Sequence, residues 1–270
     1  MSIKLQITLL TSILLIFSTS MDAQENEWGN LKGQIIVEGD LPEIEPEKID
    51  KDKPVCMVGK EAPLDDNLLI DSSSRGLKDA FVMMYFKRGA AKPPVHESYE
   101  KSKDEVIEID NKNCRFAPHA AFARIGQTIR LKNSDQVGHN CHITLFKDEI
   151  NVNLPIGEHV DVKFKESEKF PGLVKCDMHQ WMDGVLLIRE EPYVAITDKD
   201  GRFEIKNVPA GEWTYQFWHK RAGYMKDLKV PAGELGGRGE IKLTIEPGKT
   251  LDLGKLTFDT AKFKKTKSGK

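Results

Sequence analysis

The chain has 270 residues, 39% hydrophobic and 30% charged, a globular composition that excludes a disordered or fibrous protein. Its 40 Lys and Arg against 42 Asp and Glu give a net charge of −2. No broad basic field is left to hold a polyanion, so nucleic acid is excluded as a partner, and the length allows two domains or one with a large insertion.

At the N-terminus Lys4 precedes an apolar run from Leu5 to Phe17 that is broken by Gln6, Thr8, Thr11 and Ser12 and followed by the small polar stretch Ser18-Thr19-Ser20. This order reads as a secretory signal peptide over 1–23, cleaved after about Ala23, and the run is too short and interrupted for a bilayer span. No later run approaches the roughly 18 apolar residues of a membrane helix. The sequence therefore predicts a periplasmic or secreted protein without a membrane span.

Beyond the leader, apolar or alternating runs at 33–38, 80–86, 106–109, 128–131, 143–146, 160–164, 185–188, 193–197, 203–205, 213–218, 240–245 and 250–256 predict short strands. Segments 40–67 and 88–104, rich in Pro, Asp, Glu and Lys, read as loops. No 12-residue stretch carries a capped helical stripe, so the chain reads as all-β with strands at sandwich spacing. Asp198-Lys199-Asp200-Gly201 has hairpin-turn chemistry, since Gly supplies positive φ and Asp tolerates it, and Pro209-Ala210-Gly211 supplies a similar turn before Trp213. A calcium loop at Asp198 and Asp200 is disfavoured because Arg202, Phe203 and Ile205 occupy the later ligand positions.

The informative segment is Val174-Lys175-Cys176-Asp177-Met178-His179-Gln180-Trp181-Met182. In a tight loop between strands, the thiol of Cys176, the imidazole of His179 and the thioether of Met182 can converge on one ion. A second imidazole is available in His139-Asn140-Cys141-His142, after the polar turn Asn133-Ser134-Asp135. One Cys, two His and one Met form the donor set of a mononuclear blue-copper site. A structural zinc site would want four N or S donors, usually with a paired Cys-x-x-Cys, which is missing here.

Gly138–His142 with Lys175–Met182 resembles the copper-binding part of the cupredoxins, especially the amicyanin and plastocyanin type, and the likeness extends over about residues 104–190. It implies one type 1 copper held by His139, Cys176, His179 and Met182, with Asn140 tying the two ligand loops together. The flanking segments resemble a carboxypeptidase regulatory-like, transthyretin-like β-sandwich. Gly33-Gln34-Ile35-Ile36-Val37, Ala80–Met84 and Tyr193–Phe217 carry that likeness. The whole chain also resembles exported methylamine-utilisation-like proteins. The implied architecture is a cupredoxin Greek-key β-sandwich, 104–190, inserted into or joined to a second, split sandwich, 29–103 plus 191–258, with a basic tail over 259–270.

With Cys176 assigned to copper, a Cys56–Cys114 disulfide is expected, leaving Cys141 as a buried thiol; a Cys141–Cys114 bridge is the competing arrangement. His119, His142, His159 and His219 read as hydrogen-bonded or surface histidines, with His142 retained as a residue beside the ligands or at their entrance. Trp181 either shields the site or offers a contact face, and the lysines from Lys262 to Lys270 read as a solvated extension. The expected function is one-electron transfer to or from a redox partner protein, without enzymatic activity. The alternative is a copper-binding or carbohydrate- or surface-binding accessory module. An oxidase or nitrite-reductase fragment is set aside because none of the seven His forms a His-x-His pair.

Overall fold

A computed structural model describes residues 27–57, 61–87 and 89–263; the expected leader and the lysines beyond Phe263 lie outside them. The chain opens with β1 (Trp28–Glu38), α1 (Lys53–Cys56), β2 (Phe81–Met84) and α2 (Ser98–Ser102). Nine strands follow: β3 (Ile107–Asn111), β4 (Phe116–Ala117), β5 (Ala120–Arg124), β6 (Ile129–Asn133), β7 (His139–Thr144), β8 (Glu149–Leu154), β9 (His159–Val162), β10 (Gly172–Lys175) and β11 (Asp183–Arg189). The return comprises β12 (Val194–Ile196), β13 (Arg202–Pro209), β14 (Gly211–His219), β15 (Gly223–Tyr224), β16 (Glu240–Ile245) and β17 (Thr250–Asp259). The molecule is all-β apart from short helical turns, and the two segments expected as loops hold α1 and α2.

Two pairs of sheets result. The strands before β3 and after β11 form the first pair, a sheet ordered β13-β1-β17 and a sheet ordered β12-β2-β14-β15 with β16 also paired to β14. Their shared core includes Leu31, Ile35, Phe203 and Leu256 from one sheet and Val82, Tyr215, Phe217 and Leu243 from the other. Strands β3 to β11 form the second pair, ordered β5-β11-β10-β7-β8 and β4-β3-β6-β9, around Ile109, Leu131, Ile143, Val174, Leu186 and Ile188. Alternation along β6 and β13 places one face of each strand in a core and the other towards water.

β2 and β11 depart from alternation, because nearly every residue in them is buried. Val82 and Met84 belong to the first core, whereas Phe81 and Met83 meet Ala120, Val185 and Leu187 in a third cluster between the two sheet pairs. A strand covered on both faces reads as a continuous apolar run. Arg189, at the end of β11, donates to the carbonyl of Met84 at 3.0 Å and pairs with Glu191 at 3.1 Å, which closes one end of this seam.

The expected hairpin at 198–201 is corrected in one respect. The turn itself forms: the Asp198 carboxylate accepts from the N–H groups of Asp200 and Arg202, and Gly201 has φ +75° where an added Cβ would lie 2.0 Å from the Ile35 carbonyl. Its flanking strands do not pair, because β12 joins β2 while β13 joins β1 in the opposite sheet. The turn at Ala210 likewise passes the chain between sheets.

Residues 40–57 cross to the second sheet pair, where Ile49 and Cys56 enter its core. A disulfide joins Cys56 to Cys114, 58 residues apart in sequence, and Cys141 is buried with a free thiol. In the chain-entropy treatment such a closure stabilises by about 4 kcal/mol. The double variant Cys56→Ser/Cys114→Ser is expected to lose about that much in urea unfolding of the metal-free protein. A loss well under 1 kcal/mol would show that residues 40–57 are held by their packing alone.

Candidate metal centre

β7 begins at His139, earlier than the run at 143–146 predicts, because the site buries the polar residues His139 and Asn140. β7 lies antiparallel to β10, with Val174 opposite Ile143 and Lys175 opposite His142. One residue past β10, Cys176 enters the ligand loop. That loop closes on itself: Cys176 N–H donates to the Met182 carbonyl at 3.1 Å, and Met182 N–H to the His179 carbonyl at 2.9 Å.

The closure brings three donors together from two segments of chain. Cys176 Sγ lies 3.7 Å from His139 Nδ1 and 3.6 Å from His179 Nδ1. These three side chains offer ligand atoms that all lie within 4.8 Å of one another, and each residue is at most 1% exposed. Met182 is equally buried and belongs to the same core cluster. Asn140 Oδ1 accepts from Cys176 Sγ at 3.3 Å and from the N–H groups of Asp177 at 2.8 Å and Met178 at 3.3 Å, so it joins the two ligand segments. The Trp181 ring stands edge-on to His179 at 5.0 Å between centroids and is itself buried.

The outward nitrogens are equally constrained. His139 Nε2 is 2.9 Å from Asp135 Oδ2, and His179 Nε2 is 2.8 Å from Asp52 Oδ2. In the neutral ring, a proton donated from Nε2 to a carboxylate leaves the Nδ1 lone pair facing the sulfur, the tautomer a metal ligand needs. Asp135 is fixed in turn by the N–H groups of Asn113 at 2.6 Å and Cys114 at 2.8 Å. Asp52 stands four residues before Cys56, so the disulfide partner of Cys114 anchors the loop that brings the second carboxylate.

Charge in the metal-free pocket follows from this geometry. Burial opposes ionisation of Cys176, but its contact with His139 and hydrogen bonds from the protein bring the thiol below its ordinary range. Burial likewise opposes a proton on His139, yet Asp135 and the Cys176 sulfur lift its pKa to about 9. His179 moves the other way, lowered by burial and the neighbouring His139 charge despite Asp52. Burial raises the Cys141 thiol to about 12 and leaves it neutral. A cysteine sulfur whose ionisation is favoured, beside two imidazoles oriented from behind in a buried pocket, fits copper by its donor chemistry.

Asp135 could be found four residues before His139 in a segment expected as a turn. Asp52 left no local signal, being 127 residues from the histidine it holds. Elsewhere, His142 bonds Asp177 at 3.0 Å and Glu149 at 2.6 Å beside the site, His159 is exposed, and His219 is buried and accepts from Arg221 N–H. His119 corrects the expectation of a hydrogen-bonded or surface residue: it is buried, and neither ring nitrogen has a hydrogen-bond partner.

No protein-family model and no curated protein matches the chain. Among solved structures, its neighbours are cupredoxins. A reduced Cu(I) form of a point mutant of amicyanin is 16% identical, with a TM-score of 0.29, over 40% of this chain and 98% of that one. A purple cupredoxin from Nitrosopumilus maritimus is 24% identical over 32% of this chain and 99% of its own, with a TM-score of 0.27. The Cu-containing nitrite reductase from Thermus scotoductus SA-01 is 15% identical with a TM-score of 0.29, and 40% of this chain spans only a quarter of that protein.

Replacing Asp135 with Asn tests the cause of the His139 shift. The contribution Asp135 makes to metal-free stability through His139 is complete below the ordinary histidine pKa of 6.5 and lost as pH rises through about 9. In Asp135→Asn the imidazole is expected to titrate lower, by NMR, and the stability gap between the two proteins to narrow over that interval. A His139 pKa unchanged from wild type would assign the shift to Cys176 alone.

Proposed function

We propose that the chain is an exported type 1 copper protein that carries one electron at a time between partner proteins and is not an enzyme. His139, Cys176 and His179 would hold one copper, with Met182 as the weak axial donor. Residues 104–190 would form the cupredoxin unit, set into a transthyretin-like sandwich from 29–103 and 191–258. The observation that carries the reading is a sulfur 3.7 and 3.6 Å from two Nδ1 atoms in a pocket sealed from water.

Bound copper would supply a single-electron change between its +1 and +2 states. The residues keep that change inexpensive in reorganisation. Asn140 pins the ligand loop by its backbone, and Asp135 and Asp52 hold the imidazoles so that neither ring needs to turn. Enclosure of all three donors favours passage of an electron over entry of a substrate. Met178, in the ligand loop and 36% exposed, supplies apolar surface at which a redox partner would dock.

A second reading has one observation in its favour. A groove on the first sheet pair is lined by Gln34, Asp198, Arg202, Glu204 and Asp252, polar groups suited to a carbohydrate or surface ligand. On that reading copper would be structural or in transit and the sandwich the working part.

Protein expressed from about Gln24 and loaded with copper(II) separates them. The carrier reading expects about one copper per chain, a strong thiolate-to-copper band towards the red and reversible voltammetry, with band and stoichiometry lost in Cys176→Ser. Colourless protein, or copper bound equally by the variant, would sink it.

A further inference from the structure

A second constellation lies where the two sheet pairs meet. His119, between β4 and β5, is only 6% exposed. Asp183 opens β11, and Asp66 reaches over from the loop that follows α1. One ring nitrogen of His119 and one carboxylate oxygen each from Asp66 and Asp183 all lie within 4.8 Å of one another.

Hydrogen bonding in this cluster is incomplete. His119 Nδ1 is 3.4 Å from Asp79 Oδ2 and His119 Nε2 is 4.0 Å from Asp183 Oδ1, and neither nitrogen makes a hydrogen bond. Lys220 Nζ lies 2.6 Å from Asp183 Oδ1 without hydrogen-bond alignment. Among the described residues, ten buried side-chain polar atoms make no hydrogen bond and five lie in this cluster; Asp183 Oδ1 and Lys220 Nζ face each other as an ion pair, which leaves both His119 nitrogens and Asp79 Oδ2. Leaving one such group unmade costs roughly 1–3 kcal/mol. A buried imidazole with neither nitrogen hydrogen-bonded, beside two carboxylates, marks a site that can hold something.

We infer that His119, Asp66 and Asp183 form a second metal site, for a divalent first-row ion of borderline hardness such as zinc or manganese. One imidazole and two carboxylates suit that class, and the missing thiolate and thioether separate it from the pocket around Cys176. Arg115 pairs with Asp66, and Lys220 faces Asp183, so both carboxylates are partly neutralised already. Negative charge still accumulates around them. Glu47, nearby, is pushed up to about 7 by burial and by the charges of Asp65, Asp183 and Asp66. A divalent ion would answer the ring nitrogen and the crowded carboxylates together, and would clamp loop 61–67 to β11. It does not depend on copper at Cys176.

The Cys176→Ser protein, from about Gln24, isolates this site from the thiolate pocket. Zinc titrated into it is expected to bind at about one per chain and raise the melting temperature. Manganese(II), followed by loss of its free EPR signal, should compete. Combining Cys176→Ser with His119→Gln, and separately with Asp66→Asn, is expected to weaken zinc binding by more than about tenfold while circular dichroism stays that of the parent. Failure of zinc and manganese to bind, or binding of unchanged affinity in both folded variants, would overturn the assignment. Absence of a red copper band in wild type would overturn the carrier reading and leave this one standing.

Discussion

The antiparallel ladder between β7 and β10 is the constraint on which the thiol and imidazole pocket depends. With Lys175 opposite His142 and Val174 opposite Ile143, the loop that carries Cys176 starts beside the strand that carries His139. Strand side chains alternate, so His139 and Cys141 share one face while Asn140 and His142 share the other. The inward pair meets Cys176 and the core, and the outward pair meets Asp177, which accepts from Asn140 at 3.0 Å and lies 3.0 Å from His142. A slip of one residue would turn Asn140 and His142 inward and take the first imidazole from the sulfur. The buried face of the sheet holds this register, because Ile143 and Val174 must both stay in the core.

Register alone places the donors but does not orient the rings. That falls to two carboxylates of different origin which the Cys56–Cys114 disulfide brings into one framework: Cys114 N–H holds Asp135, and the loop ending in Cys56 carries Asp52. Similar contacts give opposite electrostatic results. His139 sits between a carboxylate and the Cys176 sulfur and keeps its proton, whereas His179 has a carboxylate but also the His139 charge for a neighbour and is shifted the other way. In the metal-free pocket the positive charge on His139 is therefore met by the Asp135 carboxylate and favours ionisation of the Cys176 thiol.

How much of this was legible depended on sequence distance. Cys176, His179 and Met182 share a seven-residue loop, so their convergence needed only a tight turn, and the His139-Asn140 pair supplied the rest. Most sandwich strands were visible by alternation or apolar runs. β5 was not, because Ala-Ala-Phe-Ala-Arg carries little strand propensity and forms only through its parallel pairing with β11. β8, Glu-Ile-Asn-Val-Asn-Leu, does alternate, but its Asn residues hide a strand stabilised by pairing with β7. The turn at Gly201 was readable from local chemistry; the sheet each flanking strand joins was not, since that is decided by partners about 110 residues earlier for β12 and about 170 for β13. Asp52 and the burial of His119 are tertiary facts of the same kind.

The doubly covered strands explain why a polar cluster sits at the seam at all. β2 and β11 can be apolar on both faces only where each has a sheet on one side and the other strand's neighbours on the other, and that cover ends where the strands begin. Asp79 lies two residues before β2, Asp183 is the first residue of β11, and His219 and Lys220 follow Trp218, which pairs with Phe81 across the sheet. Charged groups at this edge are too enclosed for free solvation. Burial drives the His219 pKa down to about 3, against the pull of Asp79, so that imidazole stays neutral and cannot balance the carboxylates. The balancing charge must come from Lys78, Arg115, Lys220 and Arg221, which reach in from separate segments, or from a cation seated against His119. The same sheet packing that fills the seam with Phe81, Met83 and Leu187 thus concentrates unmatched polarity at its open end.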